Sequence, residues 1–156
     1  MYGRVQALEP VEWKTASALL EAAGGYWLVT TNGDGTPHAR PVWGVWLDDR
    51  LLLSVGSHVH NRNLRARPRV SVHVDGVLDV VIVEGRAHQL ERDDPVIPRF
   101  LEVYDPKYDW QYSLDELPPP VAVAPSTVIA WRSAGAHGRD GFRATSKWTF
   151  GARLSE

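Results

Sequence analysis

The chain has 156 residues, enough for one domain with its own core and too few for two ordinary domains, so residues 1–156 are predicted to form a single domain. A composition of 44% apolar and 23% charged residues excludes disordered and low-complexity proteins, and no apolar run approaches the roughly 20 residues that span a bilayer. The absence of cysteine excludes thiol catalysis and disulfides, and a formal charge of −2 argues against general binding to nucleic acid or membranes.

The first predicted elements are a helix and three strands. The opening sequence MYGRVQALEPVEWK lacks the apolar stretch of a secretory signal, which predicts a cytoplasmic protein. Residues 10–23 carry apolar side chains at helical spacing. Aromatic and β-branched residues fill 26–31, and PHARPVWGVWL at 37–47 follows the turn sequence NGDG, so these segments predict a hairpin. A strand at 50–55 extends the hairpin into a meander.

A short helix and two further strands are predicted next. Residues 60–67 have helix-compatible side chains, and the helix is expected to end before Pro68. Alternation of valine with polar residues predicts a strand at 69–75 with one buried face. The apolar run within 77–90 predicts a longer strand that is covered on both sides. A second short helix is expected to begin near Pro95.

The last third of the chain predicts irregular structure and then two strands. Residues 105–125 include the sequence PPP and are predicted to form an ordered surface excursion. Strand-like sequences at 126–132 and 142–150 follow, separated by a loop that contains glycines. Six or seven short strands without β-α-β alternation predict a mainly β fold of the α+β kind. We expect an antiparallel barrel over about 25–150 with short helices around it.

Seven tryptophans in one domain require an explanation, because an indole must bury a large area and still find a partner for its N–H group. Four of them fall on predicted strands. Core packing is therefore predicted for Trp27, Trp43, Trp46 and Trp131.

The charge distribution singles out one segment as a candidate anion site. No acidic residue lies between Asp49 and Asp75, whereas this segment carries arginines at 50, 62, 65, 67 and 69 and histidines at 58, 60 and 73. Phosphates favour main-chain amides at a helix N-terminus together with arginine side chains. Gly56-Ser57, followed by a short helix with Arg62 and Asn63, supplies both, so a phosphate cradle is predicted. The alternative is a solvated basic face.

Four other site classes are weighed and set aside. His58 and His60 would point to one side of an extended chain, but the sequence places no third metal ligand beside them. The nucleophile-elbow pattern GxSxG and the dinucleotide pattern GxGxxG are both absent. A surface that stacks single-stranded nucleic acid is disfavoured because the basic cluster lies on a helix and turn, apart from exposed strand aromatics.

Two stretches of the chain resemble the pyridoxamine 5′-phosphate oxidase-like split β-barrel superfamily, and especially its flavin and deazaflavin oxidoreductases. They are TTNGDGTPHARPVWGVW and LLLSVGSHVHNRNLRARPRVSVHVD. The spacing of Asn63-Leu64 before Pro68 matches the family pattern, and the similarity covers roughly 16–150. In the C-terminal sequence ATSKWTF, Lys147 and Trp148 stand where the family's closing strand has arginine and tryptophan.

The resemblance implies a homodimer with two cofactor sites at the subunit interface, each occupied by FMN or coenzyme F-420. One segment of each site would run beside the ring system and another would hold the phosphate end. The implied cofactor-binding residues are Arg40, Pro41, Val42 and Trp43 beside the ring, Ser57, His58, His60, Arg62 and Asn63 at the phosphate, and Lys147 and Trp148 on the closing strand.

The chain departs from the family pattern at two positions beside the expected phosphate. His60 stands where many relatives have lysine, and Val59 stands where FMN-binding members often have arginine. A neutral imidazole attracts phosphate less than an ammonium does. F-420, whose long anionic tail can use dispersed arginines, is therefore slightly preferred over FMN.

The predicted function is an oxidoreductase that transfers a hydride between the bound cofactor and a small conjugated or aromatic substrate. The sequence identifies no catalytic acid. A non-catalytic protein that binds a flavin, haem or related tetrapyrrole on the same fold is the main alternative, and a barrel with an unoccupied site is another. Nucleic-acid binding is the least favoured reading.

Overall fold

The computed structural model describes residues 7–135 and 141–151. Within these ranges the chain forms three helices and nine strands. In chain order they are β1 (Ala7–Leu8), α1 (Trp13–Ala22), β2 (Tyr26–Thr31), β3 (Pro37–Leu47), β4 (Arg50–Ser54), α2 (His58–Ala66), β5 (Arg69–Val74), β6 (Asp79–Gln89), α3 (Ile97–Tyr108), β7 (Val121–Ala134), β8 (Gly141–Arg143) and β9 (Ser146–Thr149).

Six strands close into an antiparallel barrel. Their order is β7-β4-β3-β2-β5-β6, and β6 pairs with β7 to complete the circle. β9 adds a seventh antiparallel strand along β7, while β1 and β8 pair beyond it. The predicted antiparallel barrel of six to seven strands with short helices is therefore confirmed.

The longest strand, β7, closes the barrel because it has neighbours along both edges. One edge pairs with β6 from Val121 to Arg132. The other edge pairs first with β4, then with β9 and finally with β8. The β6–β7 ladder shifts register after Glu84, and a Cβ atom at Gly85 would collide with the carbonyl of Ala124, so the bulge requires glycine there.

The core has two compartments on opposite sides of the barrel wall. Strand β4 shows both, because Leu51 and Leu53 point into the barrel while Leu52 points outward under α3. All three leucines are fully buried. Phe100 and Tyr104 of α3 cover the outer compartment.

Several predicted boundaries move. α1 begins at Trp13, and α2 begins at His58, two residues earlier than predicted, because Ser57 caps it. α3 extends to Tyr108 and β7 begins at Val121, which shortens the irregular excursion to 109–120. The predicted strand 142–150 consists of two strands, and part of the loop before it lies outside the described residues.

The tryptophans divide between core and surface. Trp46 is buried in the core, and Trp131 is partly buried. The prediction of core packing is wrong for Trp43, which is 47% exposed, and for Trp27, which lies on the outer face of the sheet. The Trp43 side chain points out of the barrel, where Tyr108 at the end of α3 covers it only in part. None of the helices described is long and apolar enough to cross a bilayer.

Candidate functional site

The candidate anion site is built around the start of α2. The Ser57 hydroxyl accepts a hydrogen bond from the main-chain N–H of His60 at 3.3 Å, which caps the helix. The first turn carries no acidic side chain, so nothing there opposes the positive end of the helix dipole. As an acceptor in this bond, the Ser57 hydroxyl keeps its own hydrogen available for a ligand.

A buried polar network fixes α2 against the end of β2. The side-chain amide of Asn63 donates to Thr30 Oγ1 at 3.0 Å and to Asn32 Oδ1 at 2.9 Å. His60 Nδ1 lies 2.8 Å from the same Thr30 oxygen. Thr30, His60 and Asn63 are almost fully buried. These bonds hold the helix start in one position, because each would leave a buried polar group unpaired if α2 moved.

His60 cannot serve as a phosphate cation. Burial, and then the nearby His38 and Arg40, lower the pKa of His60 to about 4, so its imidazole is neutral near pH 7. The His38 ring lies 4.8 Å from it, edge to face. The Nε2 atoms of both rings are buried and have no partner within the described structure. The pair therefore keeps unused hydrogen-bonding capacity beside the candidate site.

Permanent positive charge comes instead from arginines. Arg62 lines an open depression of about 580 Å³ together with Asn32, Gly33, Asp34, His38 and Val59. Arg40 is exposed on β3, directly across the ladder from Leu28 and two residues away from His38 on the same strand. The arrangement can hold an anionic group between the helix start and these side chains.

One carboxylate also lines this depression. Asp34 accepts hydrogen bonds from the main chain and hydroxyl of Thr36, at 3.0 and 2.6 Å. The hydroxyl bond, followed by the main-chain bond, lowers the pKa of Asp34, although the group is exposed to solvent. Asp34 therefore stays ionised and limits how much negative charge the depression can accept.

Strand β3 leaves part of one edge open next to this site. Its residues 37–42 pair with β2, but on the other edge β4 begins its pairing only at Trp43. No described strand therefore pairs with the β4-facing edge of residues 37–42. Main-chain groups on that edge are free to contact a planar ligand, and Pro41 contributes no N–H donor.

Aromatic side chains surround the far end of this open edge. Trp43 stacks on Tyr108 of α3 with the rings 4.6 Å apart and nearly parallel, and Trp110 meets Trp43 at an angle. Tyr108 is anchored by donating to the carbonyl of Gly44 at 2.8 Å. Residues of α3 and the following excursion thus stand beside the segment Arg40–Trp43.

The structure gathers most of the predicted site residues but separates two of them. Arg40, Ser57, His60, Arg62 and Asn63 lie together at the α2 end, with His58 exposed on the first turn. Pro41 and Trp43 point outward from β3, and Val42 packs against the barrel core.

Lys147 and Trp148 lie elsewhere in the same protomer. Trp148 packs on Trp13, which in turn contacts Trp46. Trp46 and His38 are eight positions apart on β3, about 26 Å at roughly 3.3 Å per residue. Lys147 is exposed and lies on the face of β9 opposite to Trp148.

Sequence reasoning missed three residues of the network: Thr30, Asn32 and His38. Thr30 carries a usable signal, because it follows Tyr26 and Leu28 at alternate positions and therefore faces inward with a polar group that needs a partner. Asn32 and His38 carry no comparable signal. No group of three or more metal-ligating side chains occurs among the described residues.

Comparison with known proteins gives one family and a set of similar folds. Residues 13–133 match the family model of pyridoxamine 5′-phosphate oxidase. No curated protein matches the chain at a significant level.

Three similar solved structures illustrate the range of relatives. An F-420 reductase has a TM-score of 0.55 and 24% identity, with 72% of this chain and 94% of that one covered. A FAD-binding protein from Mesorhizobium loti has a TM-score of 0.61 and 21% identity, with 76% and 92% covered. A heme-binding protein from Mycobacterium smegmatis has a TM-score of 0.65 and 21% identity, with 92% and 60% covered. At these identities the likeness shows a common fold.

Proposed function

Because the chain belongs to the pyridoxamine 5′-phosphate oxidase family, we propose that it is a cofactor-dependent oxidoreductase. It transfers a hydride between bound FMN or coenzyme F-420 and a small conjugated or aromatic substrate. The observation that carries the proposal is the capped start of α2, held by a buried network beside the open edge of β3. A cytoplasmic location is part of the proposal.

The described residues fit a cofactor with an anionic tail and a planar ring. Ser57, the first-turn amides of α2 and Arg62 would hold the anionic end, with Arg40 close by. Main-chain groups of Arg40–Trp43 would contact the ring system along the open edge of β3. The unpartnered Nε2 atoms of His38 and His60 add hydrogen-bonding groups beside this position.

The charge pattern favours F-420 slightly over FMN. A compact phosphomonoester such as that of FMN needs concentrated positive charge, whereas the neutral His60 removes a cation from the centre of the site. Asp34 adds a negative charge on the rim of the same depression. Arg40 and Arg62 are dispersed, which suits a longer tail with several anionic groups.

The proposed division of work leaves the hydride chemistry to the cofactor. A flavin or deazaflavin supplies a hydride when bound, and the protein supplies binding and orientation. Tyr108 fixes the Trp43 ring by stacking, and Trp43 then limits the access of water to the neighbouring edge of β3.

We propose that the active form is a homodimer. In one protomer, Lys147 is far from the start of α2, so a second copy is needed if this residue is to reach the cofactor. The outer face of the β2–β3 pair also carries apolar side chains that are not fully buried: Trp27, Val29, Ala39 and Pro41. Covering this face with a second copy would bury apolar surface.

A non-catalytic cofactor-binding protein is the second candidate. The heme-binding protein from Mycobacterium smegmatis shares the fold, and the open aromatic edge at Trp43 could also accept the flat face of a tetrapyrrole.

Turnover separates the two candidates. Protein loaded with reduced F-420 or reduced FMN is mixed anaerobically with quinones and other conjugated acceptors, and the cofactor absorbance is followed. Oxidation that is faster with protein than without it supports the oxidoreductase. Tight binding without any acceleration would favour the binding protein.

A further inference from the structure

A second cavity lies away from the α2 site, where α1, the end of β3 and α3 meet. Its volume is about 560 Å³, and Lys107 forms part of its wall. The cavity is next to Trp46 and the turn at Asp48-Asp49, while the α2 site is next to His38 at the other end of β3. The two sites therefore occupy opposite ends of the same strand.

The Lys107 amine is held by main-chain and aromatic groups and has no carboxylate partner among the described ion pairs. Its Nζ donates to the carbonyl oxygen of Gly44 at 2.9 Å and lies 3.4 Å from the hydroxyl of Tyr26. The same atom is 5.1 Å from the Tyr26 ring centre and 5.3 Å from that of Tyr108. The ion pairs of the described chain use Arg99 and Arg132, and neither involves Lys107.

This environment makes the Lys107 amine a weaker base than an ordinary lysine and fixes its position by hydrogen bonds. Burial lowers the pKa of Lys107 to about 8, so a substantial fraction of the amine is neutral near physiological pH. A neutral amine has two N–H groups. The Gly44 carbonyl and the Tyr26 hydroxyl can each accept a hydrogen bond from one of them. Lys107 is also part of the cavity wall.

The other titratable groups around Lys107 do not compete with it as nucleophiles. Burial raises the pKa of both Tyr26 on β2 and Tyr108 on α3, so both phenols remain neutral. From α1 and the β3–β4 turn, the cavity receives the carboxylates of Glu21, Asp48 and Asp49. Among the described residues that line the cavity, Lys107 alone carries an amine.

The cavity wall indicates what kind of molecule would approach the amine. Trp46 and Val103 supply apolar surface. Asp48 is paired with Arg99 at 2.6 Å, but Glu21 and Asp49 are exposed carboxylates that take part in none of the described ion pairs. Such a wall favours a small ligand with a positive charge and disfavours an anion.

We propose that Lys107 is an imine-forming residue that captures small aldehydes carrying a cationic group. The neutral Nζ attacks the carbonyl carbon to give a carbinolamine. In forming the carbinolamine, one amine proton moves to the former carbonyl oxygen. The second amine proton then leaves with that hydroxyl group as water, and a carbon–nitrogen double bond remains. The step needs no oxidant or reductant, and hydrolysis reverses it.

Reductive trapping of the wild-type protein tests this inference directly. The protein is treated at about pH 7.5 with cyanoborohydride and one of three aldehydes. Trimethylammonioacetaldehyde is the cationic probe, propanal the neutral one and glyoxylate the anionic one. Peptide mass analysis measures the labelling rate of each amine separately, including the N-terminal one.

The chain provides internal controls because it has only three lysines, and both Lys14 and Lys147 are exposed. We expect labelling of Lys107 by the cationic probe to be at least about tenfold faster than labelling of either exposed lysine. Glyoxylate should label Lys107 at least about fivefold more slowly than the cationic probe does.

A matched variant tests the charge preference. The double substitution Glu21→Gln and Asp49→Asn should reduce the advantage of the cationic probe over glyoxylate and leave propanal labelling of Lys107 unchanged. Equal labelling of all three lysines by the cationic probe, or slower labelling of Lys107, would overturn the proposal. Equal rates with the three aldehydes would overturn the preference for a cationic ligand.

Discussion

The guanidinium of Arg62 supplies permanent positive charge at the proposed anionic end of the cofactor site. It lines the same depression as His38 and Asn32, and it is exposed, so no folding interaction is expected to depend on it. Replacing it should weaken binding of an anionic cofactor and leave the fold intact.

Arg62→Ala should therefore weaken cofactor binding by about 5- to 30-fold, the equivalent of about 1–2 kcal/mol for a charged hydrogen bond. Arg86→Ala is the matched control, because Arg86 is an exposed arginine of β6 and its removal changes net charge equally. Fluorescence titration measures both. Equal losses in the two variants would show a diffuse charge effect and contradict the assignment of Arg62.

His60 links the site to folding stability through its neutral, buried imidazole. The pKa of His60 is lowered to about 4 in the folded chain, whereas the unfolded chain has the ordinary histidine value near 6.5. Between about pH 6.5 and pH 4 the unfolded chain therefore binds the proton more readily than the folded chain does. Stability from this group is present above about pH 6.5 and is lost as the pH falls.

We expect the free energy of unfolding to fall by about 2 kcal/mol between about pH 7.5 and pH 5 because of His60 alone. His60→Gln, which keeps a polar side chain of similar size without titrating, should be less stable at the higher pH and should lose this part of the dependence. His88→Gln is the control, since His88 is exposed. Urea unfolding at both pH values measures the difference. Unchanged pH dependence in His60→Gln would contradict a neutral buried His60.

At the scale of elements, the start of helix α2 contributes both to folding stability and to the proposed ligand binding. Substitutions of Ser57 can distinguish the two contributions. Ser57→Asp should keep the cap, because a carboxylate also accepts from the first-turn amides, while placing a negative charge where the anion would lie. Ser57→Ala should lose about 1 kcal/mol of stability.

The two variants together form the test. Thermal unfolding should rank Ser57→Asp above Ser57→Ala, whereas cofactor titration should show weaker binding by Ser57→Asp than by Ser57→Ala. If the aspartate variant binds as tightly as the wild type, the anion does not lie at the start of α2.

Local sequence patterns predicted most elements because their signals are short-range. The hairpin strands 26–31 and 37–47 were predicted with the bounds that the structure shows, since β-branched residues and the NGDG turn determine them locally. α3 was harder to delimit: Pro106 lies within the helix, and the aromatic contacts of Tyr104 and Tyr108 accompany its continuation. Those contacts are formed by tertiary packing, which a local pattern does not contain.

The candidate site was predictable only in part for the same reason. The segment from Ser57 to Asn63 is continuous in sequence, and its composition indicated an anion site. Thr30 and His38 reach it only because β2 and β3 are paired at those positions and α2 lies over their ends. The exposure of Trp43 likewise depends on tertiary packing, because Tyr108 of α3 covers its outward-facing ring only in part.

At the scale of the whole molecule, Lys147 lies far from α2 of its own protomer. If Lys147 contacts the cofactor, it must therefore do so from a second copy of the chain. We expect a mass near twice 17.4 kDa in solution at micromolar concentration, measured by sedimentation or light scattering. Replacing Trp27 and Pro41 with lysine should shift the protein towards monomer, because both occupy the outer sheet face. A wild-type protein that remains monomeric at the highest attainable concentration would contradict the shared site.

The most direct test of a flavin or deazaflavin site at α2 and β3 is titration of the purified wild-type protein with FMN and with F-420 in parallel. Tryptophan quenching and cofactor fluorescence are both followed, because Trp43 lies beside the proposed ring position. We predict saturable binding of at least one cofactor at micromolar concentration, with F-420 the tighter, and loss of affinity in Arg62→Ala. Binding of neither cofactor would contradict the proposed site.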